Sequence, residues 1–271
     1  MNIWITGDMH QSAKPVQDFY VNTLQEEEDT DNWLICLGDF GGFYYFNWRD
    51  HKFKDELCQL PIKYFVIRGN HEARAGDTAA YDNYTGWEEV DCFGGKCLRE
   101  VSYPNIYYAE DSGGIYNIAG RKALVIPGAY SVDKWYRLQQ GWAWFSGEQL
   151  TPLEMADLSA AAEGQHFDLV LSHTCPRQYQ PTDLFLGCID QSSVDSTMEI
   201  WMDSLLDRMT FGVWCFAHYH RDRIEAPHVE MFFGEVENLE TVEDRWKRYD
   251  ETGELDWWLP LSPKMERIMN K

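Results

Sequence analysis

Short apolar runs alternate with polar segments along the first seventy residues and predict a repeating order of strand and helix. Residues 3–6 and 33–37 are apolar runs that each end in Gly-Asp, and a helix over residues 15–27 is predicted between them. A second helix is predicted over residues 51–60 and a third strand over residues 63–67. Because the order repeats, we expect these strands to be parallel neighbours in one sheet.

The pattern changes after the third strand. Residues 77–108 are rich in Gly, Asp, Asn and aromatic side chains, which predicts a long loop with short strands. Residues 115–118 and 123–126 predict a hairpin. Thr151-Pro152-Leu153-Glu154 combines an N-cap, a proline at the first helical position and a capping-box glutamate, so it begins a helix. Further strands are predicted over residues 169–172, 213–217, 223–225 and 229–233.

Polar side chains follow these predicted strands at their carboxyl ends. Five of the eight histidines lie there, together with Asp8, Asp39 and Asn70. In open α/β sheets, ligands bind at the carboxyl ends of strands, so residues distant in sequence converge on one pocket. An isolated aspartate at such a position is usually a turn residue, but the joint occurrence of carboxylate, imidazole and amide groups suits a divalent metal.

Five fragments in this order resemble the motifs of the calcineurin-like metallophosphoesterase family: Gly7-Asp8-Met9-His10, Gly38-Asp39, Gly69-Asn70-His71-Glu72, His173 and His218-Tyr219-His220. The resemblance spans residues 8–220. It implies an α/β fold, a four-layer αββα sandwich of two mixed β-sheets flanked by helices, with a metal site at the strand ends.

The resemblance also implies a dinuclear site. One metal is expected on Asp8, His10 and His220, the other on Asn70, His173 and His218, with Asp39 bridging them. Manganese is expected, with iron, zinc, nickel and magnesium as alternatives. A bridging hydroxide would attack phosphorus in line. The resemblance places His71 at the phosphate, where its imidazolium protonates the leaving oxygen or stabilises charge, and makes Glu72 a supporting or loop residue.

The sequence departs from the family pattern at two positions. Ala217 stands where glycine usually precedes His218, which puts the fine geometry of that loop in question. Gly41-Gly42-Phe43 replaces the Asp and Arg that Ser/Thr protein phosphatases carry, which argues against a standard protein phosphatase and leaves His71 without an obvious carboxylate partner. The glycines before Asp8, Asp39 and Asn70 are expected to let the backbone turn sharply.

Another cation is then needed to bind the phosphate. Arg74 is one candidate because a guanidinium matches phosphate bidentately, and a surface salt bridge is its alternative role. Arg137 is the second candidate. It follows residues 128–134, which resemble a segment of bacterial and prophage members and either line the pocket or form a solvated loop.

Aromatic clusters offer two interpretations. Phe43-Tyr44-Tyr45-Phe46 and Trp142-Ala143-Trp144-Phe145 either stack on a base or aromatic leaving group, or belong to the core or an interface. Asp256-Trp257-Trp258 either covers a sheet edge or lies in a dimer contact, so an oligomer is compatible with the sequence.

Composition narrows the class of protein. The chain has 271 residues, and we expect one domain over residues 1–271, with residues 235–271 as an acidic, Trp-rich extension packed on it. The formal net charge of −22 repels polyanions. Seven scattered cysteines fit reduced thiols, and residues 1–6 lack the features of a secretory signal. A cytoplasmic protein without membrane contact is expected.

The function expected from these observations is hydrolysis of phosphomonoesters or phosphodiesters. Small molecules, nucleotides and phosphopeptides are the candidate substrates. A metal-dependent nuclease on DNA or RNA is the first alternative, but it needs a basic groove, which the net charge opposes. A Ser/Thr protein phosphatase-like enzyme is the second alternative. A non-catalytic binding scaffold is the third, and the intact ligand set argues against it.

Overall fold

The computed structural model describes residues 1–25, 31–80, 86–255 and 259–270, with the side chains of residues 78–80 excepted. The predicted end of the first helix at residue 27 lies outside these ranges. The predicted role of Asp256-Trp257-Trp258 lies outside them as well.

Seven strands of the described residues form the first sheet: β1 (Asn2–Thr6), β2 (Asn32–Leu37), β3 (Ile62–Ile67), β4 (Trp87–Cys92), β5 (Gly95–Glu100), β6 (Ile106–Ala109) and β13 (Glu237–Asn238). Their order across the sheet is β13-β1-β2-β3-β6-β5-β4. Strands β1, β2, β3 and β6 are parallel, as predicted for the first three. The predicted loop with short strands contains β4, β5 and β6, of which β4 and β5 form an antiparallel pair.

Six strands of the described residues form the second sheet: β7 (Gly114–Ile118), β8 (Arg121–Ile126), β9 (His166–Ser172), β10 (Thr210–Phe216), β11 (Arg223–Ala226) and β12 (Val229–Met231). Their order is β11-β12-β10-β9-β8-β7. Strands β8, β9, β10 and β12 are parallel, and the edge strands β7 and β11 are antiparallel to their neighbours. The predicted hairpin is therefore confirmed as β7 and β8.

The helices are α1 (Lys14–Phe19), α2 (Trp48–Cys58), α3 (Lys134–Gln140), α4 (Pro152–Ala162), α5 (Thr197–Leu206), α6 (Leu239–Thr252) and α7 (Pro263–Met269). Helix α1 continues as a π-helix over Tyr20–Leu24. Helix α2 begins three residues earlier than predicted, because the Asn47 side chain accepts a hydrogen bond from the Arg49 amide and caps it there. Helix α4 begins with the predicted capping box of Thr151 and Glu154.

Alternation along the central strands divides their side chains between two apolar layers. In β2, Ile35 and Leu37 point into the core between the sheets, whereas Leu34 and Cys36 pack on the outer face with Phe53 of α2. The second sheet alternates in the same way and packs its outer face against α4 and α5. The result is the predicted four-layer αββα sandwich.

The C-terminal helices pack on the core between the two sheets. Leu239, Val242 and Trp246 of α6 and Met265 of α7 are buried there. The division into one domain with an extension stays a prediction. Among the described residues, none of the helices has the length and apolar content that crossing a bilayer requires.

Candidate metal centre and substrate cavities

The predicted ligands lie on loops that follow parallel strands of both sheets. These loops carry Asp8 and His10 after β1, Asp39 after β2, Asn70 after β3, His173 after β9, and His218 and His220 after β10. Because the parallel strands of each sheet end on the same side, the loops meet at one end of the sandwich.

Left-handed backbone conformations are concentrated in these loops. Asp8, His10, Asp39, His218 and His220 have φ angles of 50, 44, 51, 73 and 53°. Such a conformation costs about 1–2 kcal/mol for a residue with a Cβ atom. Strain of this kind persists where the surrounding fold enforces it, and it clusters at functional sites.

Glycines allow the loops to approach one another closely. Gly38 has a φ of 99°, and a Cβ atom there would overlap the imidazole of His173. A Cβ atom at Gly69 would overlap the carboxylate of Asp39, although Gly69 has no left-handed φ. Glycine at position 69 is therefore explained by close approach and not by a left-handed φ.

Gly7 also has no left-handed φ. The space that Gly7 leaves free explains how the fold accommodates Ala217, where the family usually has glycine. A Cβ atom at Gly7 would overlap the Cβ atom of Ala217, so the Ala217 methyl group occupies space that Gly7 leaves free. Ala217 is fully buried there. The loop accommodates alanine before His218 for this reason.

Four side chains form the first group of potential ligands. One ligand atom each of Asp8, His10, Asp39 and His220 lies within 4.8 Å of the others. His10 Nε2 is 2.9 Å from His220 Nε2 and 3.8 Å from Asp39 Oδ2. This set of imidazole nitrogens and carboxylate oxygens fits a borderline or hard divalent ion.

Asn70, His173 and His218 form the second group. Asn70 Oδ1 lies 2.8 Å from His173 Nε2 and 3.0 Å from His218 Nδ1. His173 Nδ1 lies 2.7 Å from the Leu37 carbonyl oxygen, to which it donates, and this contact turns Nε2 toward the group. Asp39 Oδ1 is 3.5 Å from His173 Nε2. The two oxygens of Asp39 thus face different groups.

Asp8 provides the test of whether these residues fit a metal. Both of its carboxylate oxygens are buried, and neither has a hydrogen-bond partner of normal geometry among the described residues. Burial raises the pKa of Asp8 well above its usual value. A buried carboxylate without partners is costly, and a cation between Asp8 and its histidine neighbours would satisfy it. The residues therefore fit divalent metal ions.

The protonation of the histidines agrees with this fit. Burial lowers the pKa of His10 and of His218, and it lowers the pKa of His220 to about 4. These imidazoles are neutral at pH 7 and have lone pairs to offer. Burial alone would lower the pKa of His173, but the nearby carboxylates, chiefly Asp39, raise it to about 9. Metal binding at His173 would therefore displace a proton.

A hydrogen-bond network fixes the orientation of Asn70. Its Nδ2 donates to Ser131 Oγ at 2.9 Å, which leaves Oδ1 to face the histidines. Ser131 Oγ donates in turn to Glu148 Oε2 at 2.5 Å. Sequence reasoning missed both roles, and only the inclusion of Ser131 in residues 128–134 offered a signal.

Glu72 joins the second and third ligand loops. Its carboxylate is buried and accepts hydrogen bonds from the backbone amides of Gly41 and Gly69, at 3.1 and 3.0 Å. These contacts hold the loop of Asp39 against the loop of Asn70. Glu72 is thus a supporting residue, as predicted.

His71 lies beside the potential ligands. Its backbone amide donates to Asp39 Oδ1 at 2.7 Å, and its ring is stacked on Tyr44 with centroids 6.2 Å apart. Burial lowers the pKa of His71, the Asp39 carboxylate opposes this shift, and Arg137 and His10 add smaller lowering effects. His71 lines both of the cavities that adjoin the centre.

The larger cavity has a volume of about 290 Å³, and the smaller one about 240 Å³. Tyr130 and Val132 line the larger cavity and Arg137 lines the smaller one, while Asp133 borders both. The segment over residues 128–134 therefore lines the pocket, which decides between its two interpretations. A wider surface groove of about 500 Å³ beside α1 contains none of the predicted ligands.

Arg137 is buried with one nitrogen unpaired. Its Nε donates to the Ala143 carbonyl at 2.8 Å and its Nη1 to Ser131 Oγ at 3.1 Å. Nη2 is buried and has no hydrogen-bond partner among the described residues. The guanidinium carbon lies 5.6 Å from the centre of the Tyr44 ring. An anion in the smaller cavity could accept from this nitrogen.

Arg74 lies elsewhere. Its guanidinium makes a double ion pair with Glu154, at 2.5 and 3.0 Å, and donates to the carbonyl oxygens of Gly147 and Gln149. It lines neither cavity. This placement favours the salt bridge, which was its alternative role, over phosphate binding.

The predicted aromatic clusters divide between the core and the cavities. Phe43 is buried, and Phe145 packs against the same core. Tyr44, Tyr45 and Trp142 line the smaller cavity instead. The core interpretation therefore holds for Phe43 and Phe145, and stacking of a substrate group on the cavity aromatics stays a prediction.

Comparisons with known proteins give a family match. The sequence profile of the family described as calcineurin-like phosphoesterase matches residues 1–222, which include all seven predicted ligands. None of the curated proteins matches the chain. Among solved structures, the phosphopantetheinyl hydrolase of Mycobacterium tuberculosis is 14% identical, with a TM-score of 0.45 and 94% of each chain covered. Another is 12% identical, with a TM-score of 0.46 and coverage of 89% of this chain and 95% of the other.

Proposed function

The chain belongs to the calcineurin-like phosphoesterase family and is a phosphoester hydrolase, and we propose that it cleaves phosphomonoesters or phosphodiesters with two divalent metal ions. The proposed ligands are Asp8, His10 and His220 for one ion, Asn70, His173 and His218 for the other, and Asp39 for both. The observation that carries this proposal is the orientation of Asp39, whose Oδ2 faces His10 at 3.8 Å while Oδ1 faces His173 at 3.5 Å.

Each component has a defined task in the proposed reaction. Two bound divalent ions supply a nucleophile at neutral pH and neutralise charge on the phosphate oxygens. The contact from the His71 amide to Asp39 keeps the imidazole at the cavity wall, where we assign it the transfer of a proton to the leaving oxygen. Arg137 offers its unpaired nitrogen to a phosphate oxygen.

The substrate we propose is a small phosphoester, a nucleotide or a phosphopeptide. The net charge of −22 opposes the approach of nucleic acid. All seven cysteines are free thiols, which suits the reducing cytoplasm that we propose as the location. Manganese is the metal we would test first.

Metal dependence provides the first prediction. Protein purified and supplied with Mn²⁺ should contain about two equivalents of metal and hydrolyse 4-nitrophenyl phosphate or its bis-ester. Chelation should lower the rate at least about tenfold, and added Mn²⁺ should restore it, because Asp8 and the histidines need a cation to act together. Failure to hydrolyse either ester with any divalent metal would refute the enzymatic proposal.

Arg137 provides the second prediction. Arg137→Lys should raise KM and lower kcat/KM about tenfold or more, because lysine keeps the charge but cannot reproduce the guanidinium contacts with both the protein and the phosphate. Steady-state kinetics with the better aryl ester measure this change.

Arg74→Lys is the matched control. Arg74 binds Glu154 away from both cavities, so this variant should lose some thermal stability and change kcat/KM less than about threefold. An unchanged KM in Arg137→Lys would contradict its role in phosphate binding.

A further inference from the structure

The larger cavity has an apolar wall that comes mainly from one loop. Between β9 and α5, this loop contributes Leu184, Phe185, Leu186, Ile189 and Val194. These side chains are only partly buried, and that of Leu186 is 57% exposed. Apolar surface gains free energy when it is removed from water, so this wall favours an occupant that covers it.

The same cavity opens onto the proposed metal centre. Asp39, His71 and His218 form part of its lining. Phe185 stacks on Tyr219, which lies between two of the proposed ligands in sequence, with centroids 6.2 Å apart and an interplanar angle of 19°. A group attached to a phosphate at the centre therefore reaches the apolar wall directly.

Most charges of the lining are already engaged. Asp133 lies 3.7 Å from Arg137 Nη1, and Glu199 accepts a hydrogen bond from Thr174 at 3.0 Å. Asp39 accepts from the His71 amide and faces His173. No lysine or arginine occurs among the described residues that line this cavity. An anionic group therefore finds no partner charge in this cavity, whereas Glu199 Oε2 is buried without a hydrogen-bond partner among the described residues.

We propose that the larger cavity binds a predominantly apolar ester group of the substrate that carries no negative charge. The inference rests on the proposed function, because it assumes that the phosphate sits at the metal centre. The smaller cavity, with Arg137, is left for charged or polar parts of the substrate. A nucleoside polyphosphate or an ester of a negatively charged alcohol would not match the apolar wall.

Alkylphosphonates test this inference because each carries a single organic group and needs no turnover. We would measure their Kd for the Mn²⁺-loaded full chain by isothermal titration calorimetry. Affinity should rise about threefold per methylene from ethyl- to butylphosphonate, roughly tenfold in total, because each added methylene is buried against the wall. 3-Phosphonopropionate should bind about tenfold more weakly than butylphosphonate, because its carboxylate finds no cationic side chain in this cavity.

A pair of variants tests whether the apolar wall causes the rise in affinity with chain length. Leu186→Asp should abolish the gain from ethyl to butyl, whereas Leu153→Asp, on α4 and 71% exposed, should keep it because Leu153 lines neither cavity. Affinity independent of chain length, tighter binding of 3-phosphonopropionate than of butylphosphonate, no binding of butylphosphonate, or a normal gain in Leu186→Asp would each overturn the inference. Loss of ester hydrolysis with an intact chain-length effect would refute only the proposed function.

Discussion

Asp39→Asn is expected to lower kcat/KM for aryl phosphate hydrolysis by about 10³-fold or more. The substitution keeps the size of the side chain but removes its charge and replaces one oxygen by an amide nitrogen. Because the two oxygens of Asp39 face different groups of ligands, the asparagine can serve only one group. A metal centre of this type contributes several kcal/mol to transition-state stabilisation, and tenfold in rate corresponds to about 1.4 kcal/mol.

Metal content must be measured together with the rate. Elemental analysis of Asp39→Asn should find less metal than in the unaltered protein, since the proposed bridge is weakened. His71→Ala is the comparison: it should keep the metal content and lose about 10²-fold in rate, the lower end of the range for general acid catalysis. Full activity of Asp39→Asn would refute the ligand assignment, and metal loss in His71→Ala would make His71 a ligand.

Much of the fold was predictable because short sequence signals define where its strands and helices begin and end. The apolar runs of β1, β2 and β3 each lie between turn residues, and Thr151 with Glu154 fixes the start of α4 through two hydrogen bonds within a single turn. These signals depend on neighbouring residues alone. The structure adds to them only the order in which the strands pair.

Helices α3, α5, α6 and α7 were not predicted, and α6 shows why. Its buried residues Leu239, Val242 and Trp246 follow a helical spacing, but acidic and basic side chains occupy nearly all the positions between them. A single narrow apolar stripe in a charged segment is compatible with a solvated extension. Asn238 and Gly253 cap the helix at its two ends, and packing against the core between the sheets buries its apolar stripe.

The convergence of the proposed ligands was predictable from their positions in sequence, whereas that of the supporting residues was not. Each proposed ligand lies within a few residues of the carboxyl end of an apolar strand, so its place in sequence determines its place at the sheet end. Ser131 is 61 residues from Asn70 and 17 from Glu148, and its contact with both depends on how the loop after β8 folds back. No sequence spacing encodes that contact.

Arg74 and Arg137 show that distance along the sequence does not predict which side chains approach the candidate site. Arg74 is close to Asn70 in sequence, but the chain after β3 turns its guanidinium to Glu154 at the start of α4. Arg137 is far from every ligand in sequence, but it lines a cavity that His10 and His71 also line. Proximity in sequence predicts side-chain contacts within strands and helices. It does not predict them in loops, where the direction of the backbone determines which side chains meet.

The loops that carry the ligands depend on close approach between backbones, and Gly38→Ala tests this directly. The added methyl group would overlap the His173 ring, and the residue must keep a φ of 99°, which strains alanine. We expect a stability loss of about 2–5 kcal/mol, which combines left-handed strain with overpacking. Displacement of His173 by about 1 Å should lower kcat/KM about 10²-fold.

Gly120→Ala is the control that separates the strain of a left-handed alanine from the displacement of His173. Gly120 has a similar φ of 90°, in the turn between β7 and β8, and a Cβ atom there would meet nothing within 4 Å. This variant should lose only about 1–2 kcal/mol of stability and keep its metal and its kcat/KM. Urea unfolding, metal analysis and kinetics on both variants compare the effects. If Gly38→Ala loses no more activity than Gly120→Ala, contact between the Gly38 loop and His173 does not position His173. If Gly38→Ala loses both metal and rate, glycine is required at position 38 because the two loops must touch.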